Sequence, residues 1–148
     1  MNAVTRTSSE SETEALGRAL AEELLSVKDP FAGTENIFVA MFGDLGAGKT
    51  AFVRGMAEYI APDAEVSSPT YAIMNEYSGK RFRMCHFDMY RITGDDDLYS
   101  VGFYDLTGVI IVAEWCENIP YALPEHYVRV NITKTPEDGG RIIEIRRV

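Results

Sequence analysis

The stretch Gly43-Asp44-Leu45-Gly46-Ala47-Gly48-Lys49-Thr50 constrains this chain more than any other feature. It fits the pattern G-x-x-x-x-G-K-[ST], in which backbone N–H groups wrap the phosphates of a nucleotide. Gly46 and Gly48 lack a Cβ, so the loop can approach a phosphate closely. By the same pattern Lys49 reaches the β- and γ-phosphates, and the Thr50 hydroxyl holds Mg²⁺. Upstream, residues 37–42 form an unbroken apolar run, read as a strand buried on both faces. Downstream, Phe52, Val53, Met56, Ala57 and Ile60 make the apolar face of a helix whose N-terminus points at the phosphates. The expected nucleotide-binding set is therefore Leu45, Gly46, Ala47, Gly48, Lys49, Thr50 and Ala51.

Around this loop the chain alternates strands and helices. Ser11, three residues before Glu14, suggests a capping box opening a helix that ends near Val27, after a frayed, disordered start over residues 1–10. The phosphate-loop helix runs to about Ile60. Residues 71–77 and 81–88 read as strands joined by a turn at residues 78–80. Three aspartates, Asp95 to Asp97, open a short helix at its positive end. Residues 108–115 form a second buried strand, and residues 127–133 and 141–146 pair as a final hairpin. The expected fold is α/β, a single P-loop domain over residues 1–148, with a mixed, mostly parallel central sheet flanked by helices. Its phosphate site should lie at the carboxyl ends of the central strands.

Charge and cysteines narrow the function. With 23 acids against 14 Lys plus Arg the net charge is −9, a poor balance for gripping a nucleic-acid backbone alone. If nucleic acid enters the biology, a partner is expected to hold it. Cys85 and Cys116 have no C-x-x-C spacing and read as buried, inert thiols in a reducing compartment. The polar first residues lack a signal-peptide core, and no apolar run approaches the ~20 residues of a membrane span. A soluble, cytoplasmic protein is expected.

A phosphate loop alone hydrolyses nothing: Mg²⁺ needs a carboxylate anchor, and the attacking group must be positioned. Two apolar strands end in acids suited to that, at Asp88 and Glu114. Either could instead pair with an arginine; Arg91 could partner Asp88 or face a phosphate. Ser67-Ser68-Pro69-Thr70 places hydroxyls where nucleotide switches sense a γ-phosphate, or is a surface loop stiffened by proline. Trp115 should point to the face opposite Glu114, as core or as a cover for the site. Asp105-Leu106-Thr107-Gly108 spells the D-x-x-G of GTPase switches but precedes a strand, and the guanine-reading N-K-x-D is absent. Adenine is the better fit, and no Arg-rich kinase lid is present.

Four blocks in order, namely the phosphate loop, Ser68-Pro69-Thr70-Tyr71, His86-Phe87-Asp88-Met89-Tyr90-Arg91 and Glu114-Trp115, make the chain resemble the TsaE (YjeE) P-loop ATPases of bacterial tRNA threonylcarbamoyladenosine biosynthesis. From about residue 126 the match is in general character only. The resemblance implies an ATPase of low intrinsic rate, using ATP and Mg²⁺ and acting on the partners TsaB and TsaD. Those partners modify adenosine 37 of tRNA and hold the tRNA themselves. The resemblance implies catalytic roles for Lys49, Asp88 and Glu114 and metal contacts for Thr50, Glu114 and Asp88. Thr70 would lie on a switch-like loop, and Glu117 on the ribose side of the nucleotide. The rival readings are a non-hydrolysing, nucleotide-dependent interaction protein and a small-molecule kinase.

Overall fold

The computed structural model describes residues 2–43, 47–66 and 73–148. Its centre is the apolar run, now strand β2 (Ile37–Phe42), in which every residue is buried. A strand with no polar face needs a layer on each side, and it has both. α1 (Glu10–Leu25) and α2 (Lys49–Ile60) cover one face of the sheet; α3 (Asp95–Ser100) and the 3-10 turn Phe103–Asp105 lie on the other. Val39 and Met41 point into the first layer, and Phe38 and Ala40 into the second. Completely buried side chains such as Met41 contribute about 2 kcal/mol each.

Five further strands follow in the chain: β3 (Met74–Ser78), β4 (Arg83–Asp88), β5 (Ile110–Glu114), β6 (Val128–Lys134) and β7 (Arg141–Arg147). With β1 (Ala3–Thr7) they make one seven-stranded sheet in the order β1-β7-β6-β2-β5-β4-β3. The inner four strands β6, β2, β5 and β4 are parallel, and the edges are antiparallel. The α/β class and the mixed sheet with a parallel centre are as the sequence predicts.

Two features at the chain's start differ from that reading. Residues 3–7 form edge strand β1, paired to β7 with Thr5 opposite Ile143, where a frayed start is predicted. Its alternation is too short and too polar to register as a strand before its partner is known. The helix cap also sits two residues earlier than Ser11. Ser9 Oγ accepts from the Glu12 N–H at 3.2 Å, and Glu12 reaches back to the Ser8 N–H. Glu14 is thereby released to pair with Arg54 of α2 at 2.7 Å. Asp97 of the acidic run serves α3 in the same way. It accepts from the Thr93 N–H and hydroxyl at 2.9 Å each, which holds its carboxyl below the usual range.

α1 and α2 meet backbone to backbone. A Cβ on Gly55 would stand 1.9 Å from the Glu14 carbonyl oxygen, and one on Gly17 2.1 Å from that of Phe52. Gly55→Ala should therefore lose about 2 kcal/mol in a urea titration, although alanine gains about 1 kcal/mol over glycine in a free helix. A stability gain would show that the crossing tolerates a methyl group.

Both cysteines are free and buried. Cys85 lies within β4, and burial raises its pKa. Cys116 donates its S–H to the Ala113 carbonyl at 3.1 Å, and burial pushes its pKa from 9.0 to about 12. The native thiols should ignore a disulfide reagent at pH 8 and react once the chain is unfolded. Rapid labelling of the native protein would contradict that burial.

Candidate functional site

Parallel strands β6, β2, β5 and β4 end on the same edge of the sheet, and the phosphate loop leaves β2 at that edge. Within β4, Met84, His86 and Asp88 share a face; within β5, Ile110, Val112 and Glu114 do. Met84, Ile110 and Val112 pack in the α1–α2 core, so the two terminal acids emerge on the side where α2 begins. Asp88 and Glu114 are register partners at the ends of adjacent strands. The β-strand period thus sets both acids beside the start of the phosphate helix.

They open into a cavity of about 320 Å³ whose wall includes Gly48, Lys49, Thr50, Ala51, Asp88 and Glu114. Gly48 caps α2 at φ +98°, a left-handed conformation glycine adopts without strain. Lys49, the first residue of α2, is buried. Its Nζ donates to the Gly43 carbonyl at 2.8 Å and lies 4.3 Å from the centre of the Trp115 ring. A buried ammonium at a helix N-terminus adds a full positive charge to the roughly half charge of the helix dipole at that end. Gly43 itself packs on β6, where a Cβ would stand 2.2 Å from the Ile132 carbonyl oxygen.

Glu114 finds histidine, not arginine, as its partner. His86 Nε2 lies 2.5 Å from Glu114 Oε2, with both side chains buried. The contact fixes the carboxylate's orientation from beneath, as second partners do for metal-binding acids. His86 Nδ1 has no hydrogen-bond partner among the described residues. Asp88 is more open and accepts from the Tyr90 N–H at 3.0 Å; among the described residues no ion pair joins it to the exposed Arg91.

Trp115 departs from simple strand alternation. It is the one described non-glycine residue with positive φ, at +59°, a conformation that costs about 1–3 kcal/mol and clusters at functional sites. The turn swings its ring to the cavity wall, over Lys49 and against Tyr90 at 5.0 Å between centroids. Trp115 lines the cavity and also packs against the second core layer, so both sequence readings are realised in part.

Other expected residues are placed differently. Ala47 is buried in the loop, and its carbonyl accepts from Arg141. Glu117 is not on the cavity wall; its carboxylate accepts from the Gly43 N–H at 3.3 Å, at the loop's other end. Leu45, Gly46 and the segment Ser67-Ser68-Pro69-Thr70 fall outside the described residues. The D-x-x-G segment precedes β5, roughly 20 Å along the strand from Glu114. Sequence reasoning missed Ser9, Thr13, Gly139 and Arg141, which reach the wall from α1 and the last hairpin. Gly139 and Arg141 carry no local motif and arrive by the strand order, whereas Ser9 and Thr13 arrive with the start of α1, which packs on α2.

Residues 7–143 match the family model "Threonylcarbamoyl adenosine biosynthesis protein TsaE". The chain belongs to the TsaE family. A relative from Haemophilus influenzae, named tRNA threonylcarbamoyladenosine biosynthesis protein TsaE, is 39% identical over 131 residues, covering 87% of this chain and 79% of the relative. Its namesake from Rickettsia typhi is 32% identical over 141 residues, 94% of this chain and 91% of the relative. The crystal structure of Bacillus subtilis YdiB superposes with a TM-score of 0.70 at 25% identity, covering 98% of this chain and 84% of that one. The match to the TsaE model spans α1, the phosphate loop, both strand-end acids and the start of β7.

The chain has a single tryptophan, so its emission reports on Lys49 directly. Lys49→Met should shift or brighten Trp115 fluorescence by removing the cation over the ring. Superimposable spectra would show that the contact is not made in solution.

Proposed function

We propose that this chain binds ATP with Mg²⁺ in the cavity at the start of α2 and hydrolyses it slowly to ADP and phosphate. In this reading it serves tRNA N6-threonylcarbamoyladenosine formation by acting on TsaB and TsaD, allowing them repeated turnovers. The observation that carries it is the shared wall, where one cavity takes the Lys49 ammonium, the Thr50 hydroxyl and the carboxylates of Asp88 and Glu114. The names of the relatives supply the pathway.

These residues suit the nucleotide and its metal. The left-handed Gly48 and the α2 N-terminus present amides and positive charge to phosphates. Among the described residues no three His, Cys, Asp or Glu side chains gather into a metal cage. That suits Mg²⁺, which takes one or two protein oxygens and completes its shell with phosphate oxygens and water. Thr50 and Glu114 would hold the ion, with Asp88 at the metal or its water shell. When bound, the ion would neutralise charge developing on the phosphates. Lys49 would leave the Gly43 carbonyl for the β- and γ-phosphates, and Asp88 would orient the attacking water. Thr70 would sense the γ-phosphate, and Glu117 would lie toward the ribose.

The remaining assignments follow from charge and size. At net charge −9 the chain leaves tRNA to its partners. Among the described residues no helix is long and apolar enough to cross a membrane; a single cytoplasmic domain fits the role.

Lys49→Ala should abolish ATP binding, whereas Glu114→Ala should bind ATP within about tenfold of wild type and lose at least about a hundredfold in hydrolysis. Normal hydrolysis by Glu114→Ala would remove that residue from the metal site. The decisive measurement is tRNA modification by TsaB and TsaD, with their own substrates, in the presence and absence of this chain. No ATP turnover with both partners present would leave a binding-only role, and phosphoryl transfer to a metabolite would make it a kinase.

A further inference from the structure

Arg141 opens β7, at the opposite end of the chain from the phosphate motif, yet it lies on the cavity wall. Topology explains the placement. β6 runs parallel to β2, so the β6–β7 turn falls on the same sheet edge as the phosphate loop, and Lys134 pairs with Arg141. On β7, Arg141, Ile143 and Ile145 share a face, and the two isoleucines are buried in the α1–α2 core. Arg141 continues that row past the core to the point where α2 starts.

There, among the described residues, its guanidinium donates to two backbone carbonyls. Nε donates to the Ala47 carbonyl and Nη1 to the Gly140 carbonyl, each at 2.8 Å. Ala47 is completely buried and immediately precedes Gly48, where a Cβ would stand 3.4 Å from Arg141 Nε. A carbonyl turned toward the cavity would repel an anion, and a buried carbonyl needs a donor. The guanidinium answers both needs by drawing the Ala47 oxygen aside. The peptide that carries that oxygen also carries the Gly48 N–H, which then points the other way. Arg141 adds a positive charge to the same wall.

We infer that Arg141 is a positioning residue of the phosphate cradle, setting the Ala47–Gly48 peptide so that its amide faces the phosphates. The inference rests on the reading of this cavity as an ATP site. It makes the last hairpin part of the nucleotide site, and affinity for phosphates then depends on β7 staying paired with β6.

The test compares Arg141→Ala and Arg141→Lys with wild type, measuring the Kd for ATP, the KM and kcat of hydrolysis and the melting temperature. Arg147→Ala, at the far end of the same strand, serves as the control for a weakened edge. Expected are a Kd and KM at least tenfold higher for Arg141→Ala, a kcat within threefold, and an intermediate Kd for Arg141→Lys. Arg147→Ala should leave Kd unchanged. If Arg141→Ala folds poorly, Arg141→Lys decides, and a Kd within twofold of wild type overturns the inference. Wild-type affinity in Arg141→Ala, or an equal loss in Arg147→Ala, also overturns it. Loss of binding in Lys49→Ala alongside those results leaves the ATP site standing; wild-type binding by Lys49→Ala removes both readings together.

Discussion

Strand β2 is buried on both faces and hydrogen-bonded on both edges, and the rest of the molecule is arranged around it. A strand of that kind accepts parallel neighbours only through crossovers, which place helices on the sheet faces. Parallel pairing also aligns strand ends. Once β4, β5 and β6 run beside β2, whatever follows each of them must emerge at one edge. The phosphate loop, two carboxylates and the last hairpin converge there without any of them being adjacent in the chain.

The site that results is assembled from supports as much as from ligands. Glu114 is steadied by a histidine from the neighbouring strand, Lys49 is sheltered by an aromatic ring, and the Ala47 carbonyl is taken up by an arginine. Each support comes from a different element. Buried polar groups without partners are costly, and among the described residues His86 Nδ1, beside the acid that His86 orients, has none.

The parts legible in the sequence were those with a short-range signature. The phosphate loop announces itself by glycine spacing, β2 by unbroken hydrophobicity, and Asp88 and Glu114 by closing apolar runs. Residues whose role depends on long-range pairing were not legible. Arg141 is one alternating residue in an ordinary strand until β6 is known to lie beside β2. β1 is five residues of weak pattern until β7 accepts it. Ser9 and Ser11 each stand three residues before a glutamate, and nothing local separates them; the pairing of Glu14 with Arg54 on another helix does. Trp115 packs against the core opposite Glu114, as alternation predicts, while its φ of +59° also brings its ring over Lys49, which alternation could not show.

The crossing of α1 and α2 carries a mechanical consequence. Side chains between helices act as bearings, letting the helices slide and rotate by changing rotamer. At Gly17 and Gly55 there are none, and main chain rests on main chain. The two helices therefore have little room to slide or rotate against each other where they cross. α1 extends roughly 24 Å from its start at the cavity wall, so this locked crossing ties the cavity end of the sheet to the body of the α-helical layer.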